Sequence, residues 1–157
     1  TFFVPTDLIG APADRATAFA RAEGYADAVD FADWDQLRRA ADDGFTIGAH
    51  TRTHARLSEL DEPELRDEIF GAKEAIEDRI GRPCRVFSWP YGTDADINDR
   101  ALELIRQAGY DACFSAIRGA VDPSDTDRFR IPREHFEADW PLEHVRFFAR
   151  GLGDYLP

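Results

Sequence analysis

The chain has 157 residues, of which 43% are hydrophobic and 12% aromatic, so its composition excludes a disordered chain and predicts one domain over residues 1–157. Thirty-one acidic residues against nineteen basic ones give a net charge of -12, which excludes nucleic acid and anionic membrane surfaces as expected partners. No apolar run approaches the length of a transmembrane helix, so the sequence contains no predicted membrane-spanning segment.

Apolar runs alternate with helical periods along the chain, a pattern typical of parallel strands joined by crossover helices, and this predicts an α/β fold. The first strand is predicted at Thr1 to Pro5. Because it begins within an apolar run and carries no initiator Met, we expect further sequence upstream. Gly10 to Asp30 has weak periodicity and is predicted as a loop with a helical turn inside it, and Ile117 to Asp127 is predicted as a polar loop. The other predicted elements are helices at Asp33 to Asp43, Glu62 to Ile80, Ile97 to Ala108 and Pro141 to Arg150, and strands at Phe45 to Ala49, Arg85 to Trp89, Asp111 to Ser115 and Phe129 to Pro132.

Two histidines follow the second predicted strand in the segment I-G-A-H-T-R-T-H, Ile47 to His54. Neutral imidazole is a common ligand of zinc-type cations, and two imidazoles four residues apart can reach one ion. An H-x-x-x-H segment alone favours a pair of solvated surface histidines, since no acidic residue lies between them as in a zincin helix. The position at a strand end is what favours a metal site.

Other chemistry-bearing residues also follow predicted strands. In parallel α/β folds, catalytic groups gather where strands end and loops begin. Trp89-Pro90-Tyr91-Gly92 follows the third predicted strand, and Arg133-Glu134-His135 follows the last. Taken alone, the Pro90 to Gly92 segment favours an ordinary turn. Neither cysteine is placed as a nucleophile and no serine lies in a nucleophile elbow, so covalent catalysis is not indicated.

The motifs occur in a recognisable order: T-F-F-V-P-T, then W-D-Q-L with G-F-T-I-G-A-H-T-R-T-H-A-R-L, then F-S-W-P-Y-G, then F-R-I-P-R. This order resembles the polysaccharide deacetylase family, the NodB-homology domain of carbohydrate esterase family 4. The resemblance runs from Thr1 to about Arg133 and depends most on the H-T-x-T-H block followed by P-Y-G.

The resemblance implies a distorted (β/α) barrel that removes N-acetyl groups from amino sugars in a carbohydrate substrate. It implies that His50 and His54 bind a divalent cation, often zinc, together with an aspartate of a T-F-D-D-G motif that the printed sequence does not contain. That motif is expected one strand and one helix upstream of Thr1, roughly 30 residues away. We therefore expect a catalytic domain that is incomplete at its N-terminus and inactive as these 157 residues alone.

The resemblance also assigns roles around the P-Y-G turn. The backbone amide of Tyr91 corresponds to the donor that stabilises the oxyanion in this family. Pro90 and Trp89 are candidates for binding substrate, with Trp89 as a cleft-lining aromatic, although burial is the commoner fate of a tryptophan beside an apolar strand.

The sequence departs from the family pattern at two places. Many members have an arginine two residues before the proline of P-Y-G, where it holds the catalytic base, and here that position is Ser88. Arg133 is our candidate substitute, because a planar guanidinium can bind a carboxylate at two points, but a structural salt bridge remains open. The usual L-x-H of the general acid has no clean match, and His135 is the nearest histidine to a strand end.

Three functions remain open at this point. The leading hypothesis is a metal-dependent carbohydrate N-deacetylase. A second is a non-catalytic glycan-binding relative. Ser88 and the lack of a clean match to L-x-H favour it, and the pair His50 and His54 disfavours it. A third is a related amidohydrolase acting on a small non-sugar amide, because the motifs specify the bond better than the substrate.

Overall fold

A computed structural model describes residues 1–25, 29–134 and 140–150. Four short parallel strands form one sheet in the order β1-β2-β3-β4 within these residues. An isolated parallel bridge between Phe114 and Ile131 continues pairing beyond β4. The strands are β1 (Phe2–Val4), β2 (Ile47–Ala49), β3 (Val86–Ser88) and β4 (Ala112–Phe114).

The register aligns the carboxyl ends of the strands at one edge of the sheet. Phe3 pairs with Gly48, and Ala49 pairs with Phe87. A Cβ on Gly48 would lie 2.7 Å from the ring of Phe3 and 2.8 Å from Val86, so only glycine fits between the neighbouring strands. The residues that follow Val4, Ala49 and Ser88 therefore emerge side by side.

Helices cover the sheet: α1 (Ala13–Ala22), α2 (Trp34–Asp42), α3 (Glu62–Arg66), α4 (Ala72–Ile80), α5 (Asp99–Gln107) and α6 (Leu142–Ala149). Capping boxes begin two of them, with Asp33 and Gln36 at α2 and Asp61 and Glu64 at α3. A π-helical turn, Asp67–Gly71, joins α3 to α4. None of the helices described is both long and apolar enough to cross a membrane.

The structure differs from the predicted elements in three places. Gly10 to Asp30 contains the helix α1, which buries only alanines, Ala16 and Ala20, and so produces little apolar periodicity. The predicted helix Glu62 to Ile80 is interrupted by the π-helical turn. The predicted strand at Phe129 to Pro132 is reduced to the single bridge between Ile131 and Phe114. Two backbone hydrogen bonds join this part of the chain to Cys113 in β4, one at Ile131 and one at Arg128.

The core lies between the sheet and the helices α2 to α5. Its largest fully buried side chains include Trp89, Phe87 and Leu57, and burying a side chain of this size stabilises the fold by about 1.5 to 3 kcal/mol. The hydroxyl of Tyr110 donates to the carbonyl of Ile69 at 3.0 Å. This bond satisfies a buried phenol and ties the segment before β4 to the π-helical turn. Cys84 and Cys113 are free and buried, as expected for small apolar side chains.

Candidate functional site

The two predicted metal-ligating histidines lie together at the carboxyl edge of the sheet. His50 directly follows β2, and its backbone amide donates to the carbonyl of Val4 at 3.1 Å. The chain then turns, so that the ring of His54 lies with its centroid 4.9 Å from that of His50 at an interplanar angle of 64°. The two histidines, four residues apart in the sequence, are thus neighbours in space.

The surroundings of His50 fix its protonation. Nδ1 lies 2.6 Å from the carbonyl oxygen of Ser88. Because a carbonyl only accepts, Nδ1 carries the proton and Nε2 carries the free lone pair. Burial, with the nearby charges of His54 and Arg133, lowers the pKa of His50 to about 4, although the Ser88 carbonyl acts in the opposite direction. The ring is therefore neutral at pH 7, the form that binds a cation.

His54 is enclosed by aromatic rings and a carboxylate. Its ring meets Phe19 and Tyr91 edge to face, at centroid distances of 5.4 and 5.1 Å. Nδ1 of His54 is buried and has no hydrogen-bond partner among the described residues, and Oε1 of Glu23 lies 3.5 Å away, close but outside hydrogen-bond geometry. Burial lowers the pKa of His54 even though Glu23 raises it, so this ring is also held in its neutral form.

Backbone strain is concentrated at this site. Thr51, His54 and Tyr91 have φ of 61°, 69° and 62°, and no other non-glycine residue in the described part of the chain has a positive φ. Each such residue costs on the order of 1 to 3 kcal/mol and persists only where the surrounding structure enforces it. Strain of this kind is typical of functional sites, and here it falls on both loops that the sequence analysis singled out.

The P-Y-G turn is built differently from the prediction for two of its residues. Trp89 and Pro90 were expected to line a substrate cleft, but both side chains are fully buried. The indole N–H of Trp89 donates to the carbonyl of Thr93 at 3.0 Å, so this residue supports the turn from inside the core. Trp89 directly follows β3 but belongs to the buried core cluster, so its position at a strand end does not expose it.

Tyr91 is the exposed member of the turn. Its side chain retains 42% of its accessible surface, its hydroxyl donates to Oε1 of Glu23 at 3.0 Å, and the guanidinium of Arg56 lies 4.4 Å from its ring centroid. Arg56 in turn pairs with the buried carboxylate of Asp96. The backbone amide of Tyr91 donates to no described residue, as a free oxyanion donor would.

Arg133 lies against Ser88, the position at which it was predicted to substitute for an arginine. Nη2 donates to Oγ of Ser88 at 2.9 Å, and Nε donates to the carbonyl of Ser115. Ser88 therefore links the guanidinium to His50, which binds the carbonyl of the same residue. The predicted general acid, His135, lies outside the described residues.

Sequence reasoning missed Glu23, which contacts both loops. The residue lies at the end of α1, in a segment predicted as a loop, and its contacts are all tertiary, so no local pattern indicates them. No group of three or more His, Cys, Asp or Glu residues suited to a metal occurs within residues 1–25, 29–134 and 140–150. Two neutral imidazoles nevertheless fit part of the donor set of a zinc site, which in catalytic centres usually has three protein ligands.

A sequence profile of the family described as Polysaccharide deacetylase matches residues 1–113. No curated protein sequence matches the chain.

Solved structures share the fold. A polysaccharide deacetylase from Bacillus cereus, BC0361, matches with a TM-score of 0.63 at 19% identity. The match covers 74% of this chain and 36% of the BC0361 chain. IcaB from Ammonifex degensii has a TM-score of 0.65 at 19% identity, with coverage of 88% and 56%. The Streptococcus pyogenes deacetylase PplD, in complex with acetate, has a TM-score of 0.65 at 15% identity, with coverage of 81% and 53%.

The chain thus spans 36% to 56% of the length of these three proteins. The similarity confirms the predicted α/β fold class with a parallel sheet. Within the described residues the sheet is open, with β1 and β4 at its ends.

Proposed function

The chain belongs to the polysaccharide deacetylase family, and we propose that it forms part of a metal-dependent hydrolase that removes N-acetyl groups from an amino-sugar glycan. One observation carries the proposal. Two neutral imidazoles, His50 and His54, lie with ring centroids 4.9 Å apart at a strand end. They do so beside a strained turn whose exposed residue, Tyr91, has a backbone amide that donates to none of the described residues.

His50 and His54 would hold a divalent cation of the zinc type. Such a cation polarises an amide carbonyl and lowers the pKa of a bound water, which is the chemistry that amide hydrolysis needs. The hydrogen bond from Nδ1 of His50 to Ser88 fixes the tautomer that offers Nε2, as second-shell partners of metal-bound histidines commonly do. The family's T-F-D-D-G motif, which the printed sequence does not contain, would supply the third ligand.

The backbone amide of Tyr91 would stabilise the negative charge that develops on the carbonyl oxygen of the acetyl group. Tyr91 is held at a positive φ within the turn. A preorganised donor of this kind contributes about 2.7 to 4 kcal/mol to transition-state stabilisation.

Arg133 would orient the catalytic aspartate in the absence of an arginine at position 88. Its guanidinium donates to Ser88 and so lies next to His50. The guanidinium of Arg133 carries a positive charge and can donate two parallel hydrogen bonds to a carboxylate, whereas lysine would supply the charge alone. His135 is proposed as the general acid from its place in the sequence, two residues after Arg133.

The proposal is tested with the single substitutions His50→Ala and His54→Ala in the full-length protein. Metal content and deacetylation of an N-acetylglucosamine oligomer are measured in each variant, and we expect both to fall at least tenfold. His144→Ala is the matched control for metal content, because His144 lies exposed in α6.

Two outcomes would contradict the proposal. Retention of metal and turnover in both site variants would show that the histidines are not ligands. Glycan binding by a wild-type protein that binds no metal and releases no acetate would favour the glycan-binding alternative.

A further inference from the structure

A buried carboxylate lies beneath the loop that carries the two histidines. Glu68 is 7% exposed and accepts three hydrogen bonds. They come from the amide of Arg52 at 2.7 Å, the amide of Thr53 at 3.0 Å and the hydroxyl of Thr53 at 2.7 Å. Every donor belongs to Arg52 or Thr53, two of the three residues between His50 and His54.

These hydrogen bonds do more than satisfy a buried charge. The loop departs from regular structure at Thr51, which has a φ of 61°, and again at His54, which has a φ of 69°. The amides of Arg52 and Thr53 converge on one oxygen of Glu68, between the two residues at positive φ. Glu68 therefore stabilises the strained path of the backbone between the histidines.

The π-helical turn Asp67–Gly71 is what brings Glu68 to the loop. Asp67 in the same turn binds the guanidinium of Arg52 at 2.6 and 2.7 Å. A Cβ on Gly71 would lie 2.8 Å from Cδ of Arg52, so glycine makes room for that side chain. Two carboxylates and one glycine of a single helical turn thus contact the same loop. π-Helical turns inside α-helices occur frequently at functional sites.

The other side of the loop is held by the chain that follows β1. The amides of Thr6 and Asp7 donate to the carbonyls of Thr51 and Arg52, at 3.2 and 2.9 Å. The carboxylate of Asp7 also binds the Arg52 guanidinium, at 3.1 and 3.2 Å. The backbone of the loop is therefore fixed by its carbonyls on one side and by its amides on the other. Among the described residues, only Glu68 binds the amides of Arg52 and Thr53.

We propose that Glu68 is a positioning residue that sets the relative placement of the His50 and His54 rings by binding the backbone between them. It touches neither ring and acts through the loop. The consequence for a metal rests on the proposed function, whereas the placement of the rings does not.

The test uses Glu68→Gln in the full-length protein. Glutamine keeps the size of the side chain but replaces one acceptor oxygen with a donor, which would face an N–H or O–H of the loop. Glu64→Gln is the matched control, because Glu64 lies in the same helix, is exposed and accepts one amide hydrogen bond, from Asp61 at 2.9 Å.

Two measurements are made on each variant. Nuclear Overhauser contacts between the His50 and His54 rings in the metal-free protein report their placement directly. Competition titration with Zn²⁺ reports affinity, which we expect to fall about 10- to 100-fold in Glu68→Gln, as for other outer-shell partners of metal ligands. The ring contacts should be lost in Glu68→Gln, and both quantities should be unchanged in Glu64→Gln.

A folded Glu68→Gln protein with wild-type ring contacts would overturn the proposal. If the ring contacts are lost in the variant but even the wild-type protein binds no Zn²⁺, the positioning role stands and the proposed function fails. If Glu68→Gln does not fold, Thr53→Val replaces it. This variant removes one donor from an exposed side chain and should weaken the ring contacts and the affinity in the same direction, and wild-type behaviour would overturn the proposal.

Discussion

The two loops of the candidate site carry the same kind of strain and are held by different means. The histidine loop, residues 50–54, and the P-Y-G turn, residues 89–92, both follow central strands and both contain non-glycine residues at positive φ. The histidine loop depends on the carboxylate of Glu68, whose oxygens bind its amides. The P-Y-G turn depends on close packing of its backbone.

The packing of the P-Y-G turn centres on Gly92. Its amide donates to the carbonyl of Pro90 at 2.7 Å, and its carbonyl accepts from the amide of Ala116 at 2.9 Å. A Cβ on Gly92 would lie 2.4 Å from Cβ of Ala116 and 2.6 Å from its nitrogen. We therefore expect exchange of the single side chain of Glu68 to release the histidine loop. The P-Y-G turn should respond instead to a change at Gly92 or at Asp96, which binds Thr93 directly after the turn.

Gly92→Ala should produce the largest loss of stability. The new methyl group would overlap Ala116, and such overpacking costs about 1 to 3 kcal/mol, to which the positive φ of 78° adds roughly 1 to 2 kcal/mol for a residue with a side chain. The free energy of unfolding of the full-length protein, measured in denaturant, should fall by about 3 kcal/mol or more.

Gly81→Ala is the matched control for that substitution. Gly81 has a φ of 74° but no atom within 4 Å of an added Cβ, so only the conformational cost applies. Its loss should be roughly 1 kcal/mol. Equal losses for the two variants would mean that contact with Ala116 does not hold the turn.

Asp96→Asn should have the next largest effect and should be confined to the P-Y-G turn. Asp96 is 1% exposed, accepts from the amide and hydroxyl of Thr93 at 2.8 and 2.6 Å, and pairs with Arg56. Losing charge-assisted bonds in a buried cap costs about 2 kcal/mol. Unfolding experiments should show this loss while the Zn²⁺ affinity stays within about twofold of wild type, because Glu68 still holds the histidine loop.

The exposed neighbour Asp94 supplies the control. Asp94→Asn removes a surface pair with Arg130 and should change the free energy of unfolding by less than about 1 kcal/mol. A large fall in Zn²⁺ affinity for Asp96→Asn would show that the two loops are not independent.

The residues that follow the strands could be predicted from the sequence, but the residues that hold those loops in place could not. His50, His54 and the P-Y-G turn were identified because spacing and motif order are local properties of the chain. The roles of Glu23 and Glu68 were not, since each depends on a contact between distant segments that leaves no local pattern. The helix α1 was missed for a related reason, because its buried alanines produce almost no apolar stripe.

The burial of Trp89 could not be predicted from local sequence either. Its place beside a turn made it a candidate for lining a cleft, but the side chain lies in the buried core. Arg133 is the converse case. The absence of an arginine at position 88 suggested where a substitute was needed, and the structure places the Arg133 guanidinium against Ser88.

Tyr91→Phe should have the smallest effect. It tests whether the two loops support each other, because the phenol of Tyr91 joins them through Glu23. The hydroxyl donates to Oε1 of Glu23 at 3.0 Å, and the same oxygen lies 3.5 Å from Nδ1 of His54. Burial and the Glu23 carboxylate raise the pKa of Tyr91, so the phenol stays protonated and remains a donor at pH 7. Removing a partly exposed neutral donor costs about 0.5 to 1.5 kcal/mol. We expect a loss of unfolding free energy at the lower end of that range, with no change in Zn²⁺ affinity, because the backbone of each loop keeps its own support. A loss of affinity comparable to that of Glu68→Gln would instead make the phenol and Glu23 part of the support of the histidine loop.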